Sequence, residues 1–142
     1  MIIPIGCDHA GFKTKEIIIK HLITKGLEVK DFGCFSEESI DYPDFAHPVA
    51  EMVVTHVGMK GILLCGSGNG INMTANKHQG IRSALCWKTE IAELARLHND
   101  ANIMAIPARF VSDEEAIKMV DVFLSTGFEG GRHQNRIDKI PC

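Results

Sequence analysis

Residues 61–77, Gly-Ile-Leu-Leu-Cys-Gly-Ser-Gly-Asn-Gly-Ile-Asn-Met-Thr-Ala-Asn-Lys, leave the chain few architectural options. The run Ile62-Leu63-Leu64-Cys65 is too short for a helix and suits a strand buried on both faces. Gly66, Gly68 and Gly70 then alternate with Ser67 and Asn69, and a helix-compatible segment follows up to Lys77. In a strand–glycine turn–helix unit, successive backbone N–H groups and a helix N-terminus face one point. That concavity suits an anion, either a phosphate or an oxyanion that develops during reaction.

The turn differs from better-known glycine loops. Its spacing is Gly66-x-Gly68-x-Gly70, with Ile71 where a dinucleotide fingerprint needs its third glycine, and no Gly-Lys-Ser/Thr follows as in a nucleoside-triphosphate loop. What marks it is the Cys65 thiol at the carboxyl end of the strand, with the Ser67 hydroxyl two residues on. Cys65 reads either as a small buried hydrophobe or as a thiol activated by the helix N-terminus.

Composition narrows the class. With 142 residues, 45% hydrophobic and 23% charged, the chain is expected to form a single domain over residues 1–142. A net charge of -3 gives no electrostatic reason to expect nucleic acid. No apolar run approaches the roughly 20 residues that cross a bilayer, and the first residues lack the basic region of a signal peptide, so no membrane contact is expected. The five cysteines, 7, 34, 65, 86 and 142, are irregularly spaced with no Cys-x-x-Cys. This favours free thiols in a reducing, cytoplasmic setting and argues against a zinc site; the expected metal set is none.

Along the chain, residues 2–7 read as a first buried strand ending at Asp8 and His9. A helix follows up to Gly26, then an alternating strand over 27–32 with the look of an edge. The acidic loop 33–42 leads to Pro43, which suits the first turn of a helix running towards Gly58. After the glycine turn come a strand over 80–86, a helix ending in the polar cluster His98-Asn99-Asp100, and a fifth strand over 103–106. Ser112 to Glu115 is a capping box for the helix that precedes Gly127. Five strands separated by helices predict a doubly wound α/β fold, a Rossmann-like three-layer αβα sandwich. Only the second strand alternates as an edge does, which predicts the order 2-1-3-4-5. The crevice at the switch point then lies between strands one and three, whose ends carry Asp8-His9 and Cys65-Gly66-Ser67.

The C-terminal tail breaks this regularity with Glu129-Gly130-Gly131-Arg132-His133-Gln134-Asn135-Arg136. On a helix Arg132 and Arg136 share a face, as a phosphate clamp or as a solvated basic turn. Arg109 and Arg82 have no distinguishing context. A thiol, a hydroxyl, a histidine in a polar loop, an oxyanion pocket and an arginine pair suit proton transfer beside a carbonyl on a small phosphorylated substrate.

These residues together resemble ribose-5-phosphate isomerase type B, the family that also includes galactose-6-phosphate isomerase subunits. The resemblance rests on Gly6-Cys7-Asp8-His9, Asp41-Tyr42-Pro43, Cys65-Gly66-Ser67-Gly68-Asn69-Gly70, Ala75-Asn76-Lys77, His98-Asn99-Asp100 and Glu129-Gly130-Gly131-Arg132-His133-Gln134, spanning nearly the whole chain. It implies a cofactor-free isomerase of a small-molecule sugar phosphate, assembled as a homodimer or dimer of dimers with sites shared between chains. It also implies catalytic roles for Cys65, the base moving a proton between C2 and C1, for Ser67, acting on hydroxyl protons, and for His98, opening the furanose ring. Some members use a glutamate just after the glycine turn; the corresponding residue here is Ile71, which leaves the thiol. Asp8, Asn99 and the backbone of Gly66, Ser67, Gly68, Asn69 and Gly70 would hold sugar oxygens, and His9, Arg109, Arg132 and Arg136 the phosphate. Two alternatives stand beside ribose 5-phosphate isomerisation: a six-carbon substrate (allose 6-phosphate or galactose 6-phosphate), or a non-catalytic module binding a phosphorylated effector.

Overall fold

A computed structural model describes residues 1–142. Its centre is a five-stranded parallel sheet formed by β1 (Ile2–Cys7), β2 (Glu28–Asp31), β3 (Gly61–Cys65), β4 (Ser83–Leu85) and β5 (Ile103–Pro107). β3 and β5 are buried along their whole length, as their apolar runs require, whereas β2 alternates between exposed and half-buried residues. The connecting helices are α1 (Phe12–Thr24), α2 (Pro43–Thr55), α3 (Asn69–Ala75) and α4 (Thr89–Asn99), followed by α5 (Asp113–Ser125) and α6 (Arg132–Ile137). Pro43 opens α2, and the Ser112 side chain accepts a hydrogen bond from the Glu115 N–H at the start of α5, as expected.

The strand order is β2-β1-β3-β5-β4, so the expected 2-1-3-4-5 is wrong at its far end. β4 is the second edge. It is three residues long, and all three are half-exposed. The fully buried β5 is inserted between it and β3. The order decides which face each helix covers. β2→β3 and β3→β4 step one way across the sheet, β1→β2 and β4→β5 the other, and right-handed crossovers put the two sets on opposite faces. The core divides accordingly. Ile5, Ile62, Leu64, Met104 and Ile106 pack with α1, α4 and α5, while Leu63, Cys65, Ile103 and Ala105 pack with α2 and α3. The three-layer αβα sandwich is therefore present. No helix is long and apolar enough to cross a membrane.

At the end of β2, Asp31 pairs with the fully buried Lys15 at 2.6 Å and accepts the Gly33 N–H at 2.9 Å. This ties down the start of loop 33–42, which reaches the ends of β1 and β3.

Candidate active site

β1 and β3 end side by side, with the Asp8 N–H bonded to the Leu64 carbonyl at 3.1 Å. Asp8 is 7% exposed, and its carboxylate accepts the Ala10 N–H at 3.0 Å, capping the tight turn that carries His9. The Ile40 N–H donates to His9 Nδ1 at 3.2 Å, so loop 33–42 holds that ring with Nδ1 as the acceptor. On the other side of the crevice, β3 runs into the glycine turn, where Ser67 and Asn69 are exposed and the Asn69 N–H donates to Ser67 Oγ at 3.3 Å. Gly68 sits at φ 76°, in the left-handed region, and there the chain reverses into α3. Any side chain at Gly70 would run into the Tyr42 ring, which lies against it. Tyr42, quoted above only within a motif, thus lines this crevice.

The Cys65 thiol, 4% exposed, sits beneath this turn. Burial pushes its pKa up, and the neighbouring Asp8 charge adds to that; the N–H groups of Ile71, Gly68 and Gly70, which face the sulfur, pull the other way. The Ile71 side chain is fully buried in the core and points no group into the crevice. Arg109 reaches the same place from beyond β5: its N–H donates to the Gly66 carbonyl at 3.1 Å, and its side chain lies over Gly66.

Replacing Asp8 with asparagine removes the like charge but keeps an oxygen for the Ala10 N–H. Alkylation of Cys65 by iodoacetamide at neutral pH is then expected to accelerate, up to about tenfold per pKa unit recovered. Peptide mapping reads Cys65 separately from the exposed Cys142. An unchanged or slower rate would show that the carboxylate does not act on the thiol.

The remaining candidates lie at the other end of the sheet. His98 and Asn99 form the last turn of α4, just before β5 begins. The Asn102 carbonyl accepts the Gly61 N–H at 2.9 Å at the first residue of β3, whereas Cys65 is the last. Four strand steps, about 13 Å of sheet, separate the two ends. The tail joins the far end, because the Glu129 N–H donates to the Leu97 carbonyl at 3.1 Å. Arg132 and Arg136 are both exposed on α6, so the helical spacing expected for them is present. One chain thus brings together Asp8, His9, Cys65, Gly66, Ser67, Gly68, Asn69, Gly70 and Arg109. It gathers His98, Asn99, Arg132 and Arg136 separately.

Residues quoted above only within a motif (Asp100, His133), or with no distinguishing context (Arg82), build the second group. Asp100, at φ 45°, ends α4 in the left-handed region and is held by Arg96 at 2.9 Å and Arg82 at 3.2 Å. Arg82 Nε also donates to the Asn99 carbonyl at 3.0 Å, fixing the turn that presents Asn99. His133 packs face to face on His98, with ring centroids 4.3 Å apart. A cavity of about 370 Å³ also opens at this end, between residues 76–82 and the last residues of the tail. It is nowhere near Cys65.

The ribose/galactose isomerase family model matches residues 3–140. Ribose-5-phosphate isomerase B of Escherichia coli is 46% identical over 138 residues, 97% of this chain and 93% of that protein. Among solved structures, a ribose 5-phosphate isomerase from Thermotoga maritima is 50% identical with a TM-score of 0.95, over 98% of this chain and 96% of that one. Ribose-5-phosphate isomerase B from Mycoplasma genitalium, solved with bound ribulose-5-phosphate, is 48% identical with a TM-score of 0.94, over 98% and 93%.

Proposed function

The chain belongs to the ribose/galactose isomerase family, and from that premise we propose that it interconverts ribose 5-phosphate and ribulose 5-phosphate with Cys65 as the base. The observation that carries this reading is the Cys65 thiol under three inward-facing N–H groups, in a chain 48% identical to a relative that holds ribulose-5-phosphate.

His98 assists opening of the furanose ring, moving a proton between the ring oxygen and the anomeric hydroxyl. The Cys65 thiolate then takes the C2 proton; the electron pair forms the C1–C2 double bond, and the carbonyl π pair moves onto O1, giving a cis-enediolate. The Ser67 hydroxyl carries a proton from O2 to O1 while the thiol returns its own to C1, which completes the ketose. No atom or electron is left over. Asp8, Asn99 and the turn backbone hold the sugar hydroxyls. His9, Arg109, Arg132 and Arg136 grip the phosphate, whose binding energy positions C2 against the sulfur.

The separation of the two residue groups within one chain supports an assembly in which each site is made by two chains. A homodimer, alone or doubled into a dimer of dimers, does this by two-fold symmetry: the Cys65 end of one chain meets the His98 and Arg132 end of its neighbour. A reducing compartment, the cytoplasm, suits the five free thiols.

The family description covers galactose as well as ribose, so substrate length is the second question. Steady-state turnover of ribose 5-phosphate, allose 6-phosphate and galactose 6-phosphate, without added cofactor, tests both points. Ribulose 5-phosphate formation at the highest kcat/KM is the expected result. Turnover confined to a six-carbon sugar would replace the substrate, and binding without turnover would make the protein a non-catalytic module.

A further inference from the structure

His98, Glu129 and His133 converge from the last turn of α4, the chain after α5 and the first turn of α6. Glu129 Oε2 stands 3.8 Å from Nε2 of both histidines, and the three donor atoms lie within 4.8 Å of one another. The imidazoles are stacked, with 14° between their planes. None of the three side chains makes a hydrogen bond to the protein, since 3.8 Å is too long for one. His133 is only 4% exposed, and its ring nitrogens face solvent rather than a protein partner. No polar atom of the cluster is sealed from solvent.

We propose that His98, Glu129 and His133 form a binding site for a divalent transition-metal ion of the zinc class, and that the bound ion takes His98 away from the sugar and stops turnover. Two imidazole nitrogens and a carboxylate oxygen are the donor set of Zn2+ and its neighbours Ni2+ and Cu2+. Metal–ligand distances of about 2.1 Å in a tetrahedral arrangement put donor atoms about 3.4 Å apart. The two 3.8 Å carboxylate–imidazole separations have to contract by less than half an ångström, and the third, within 4.8 Å, by up to about 1.4 Å. Stacked rings direct their lone pairs side by side, so one of them has to turn. His98, with 41% of its side chain exposed, has the freedom to do so; His133 does not.

Ligation also needs neutral imidazole. Three protein ligands leave the fourth position to water or a sugar hydroxyl. The inhibitory half of the proposal rests on His98 as the ring opener; the metal site does not.

The test titrates the intact, metal-free protein with Zn2+ by calorimetry and with Co2+ by visible absorption. Wild type is expected to bind one equivalent per chain that Glu129→Gln and His133→Asn each weaken by about tenfold or more, since even an outer-shell partner of a metal site is worth that much. Glu129 is an exposed side chain whose replacement leaves the fold alone, which guards against a misfolded His133 variant. All the thiols remain in both variants, so an ion held by cysteine would bind them as it binds wild type. Equal binding by wild type and variants, or none by wild type, overturns the site. Zn2+ should then inhibit ribulose 5-phosphate formation, reversibly on chelation, with Glu129→Gln resisting by the factor seen in binding. An ion that binds in this variant-sensitive way but leaves turnover intact keeps the site and overturns both the inhibition and the reading of His98.

Discussion

Cys65→Ala is expected to lower kcat for ribose 5-phosphate by about a thousandfold or more, the middle of the range for a positioned general base and equivalent to about 4 kcal/mol of barrier. On the proposed mechanism KM should change only a few-fold, because a base acts in the transition state and leaves the phosphate contacts in place. No neighbour can stand in. Ile71 is buried and apolar, the Asp8 carboxylate is engaged by the Ala10 N–H, and Ser67 carries no base beside it to activate its hydroxyl. The fold should survive, since the thiol packs among small and aliphatic residues of the α2–α3 layer and alanine leaves only a small void there. Retained sugar-phosphate binding and an unchanged circular dichroism spectrum separate lost chemistry from lost structure. Turnover within tenfold of wild type would remove Cys65 from the role and point to Asp8.

The elements that build the first half of the site were legible because their signals are local. The apolar run before Cys65, the alternating glycines and the Asp8-His9 pair after β1 each declare a strand end within a few residues. The order of the last two strands was not legible in the same way. Residues 80–86 look apolar because Ile81 and Cys86 flank the strand, and those two are buried. Ile81 packs in the α2–α3 layer and Cys86 in the opposite one, while the three paired residues between them are only half-covered. Edge character there belongs to the exposure of Ser83, Ala84 and Leu85, which the sequence pattern does not display. Tyr42 against Gly70, Arg82 on the Asn99 and Asp100 carbonyls and His133 on His98 are contacts between distant segments, and no periodicity encodes them. Arg109 has no distinguishing context in the sequence; only the fold shows its side chain lying over Gly66.

The arrangement of the two residue groups makes the sharpest prediction, because it sorts single-site variants into two classes. Cys65→Ala disables the end of the sheet where the strands finish; Arg136→Ala and His98→Asn disable the end where they begin. Each variant alone should be nearly inactive. Unfolded and refolded together, Cys65→Ala and Arg136→Ala should regain roughly a quarter of wild-type activity, since random two-fold pairing makes half the dimers mixed and each mixed dimer holds one intact site of two. Cys65→Ala with His98→Asn should recover in the same way. Arg136→Ala with His98→Asn should also recover if those residues serve different sites, but not if both are delivered by one chain to its neighbour's thiol. The expected result is therefore recovery in the first two mixtures and none in the third. In that third mixture, each His98 still present shares its chain with an absent Arg136, so every site lacks one or the other. Mass spectrometry of the refolded material confirms that mixed dimers formed. Mixed dimers that stay inactive in the first two mixtures would mean that each chain completes its own site, and the separation across the sheet would then have to be closed by a large movement of α6 and the end of α4.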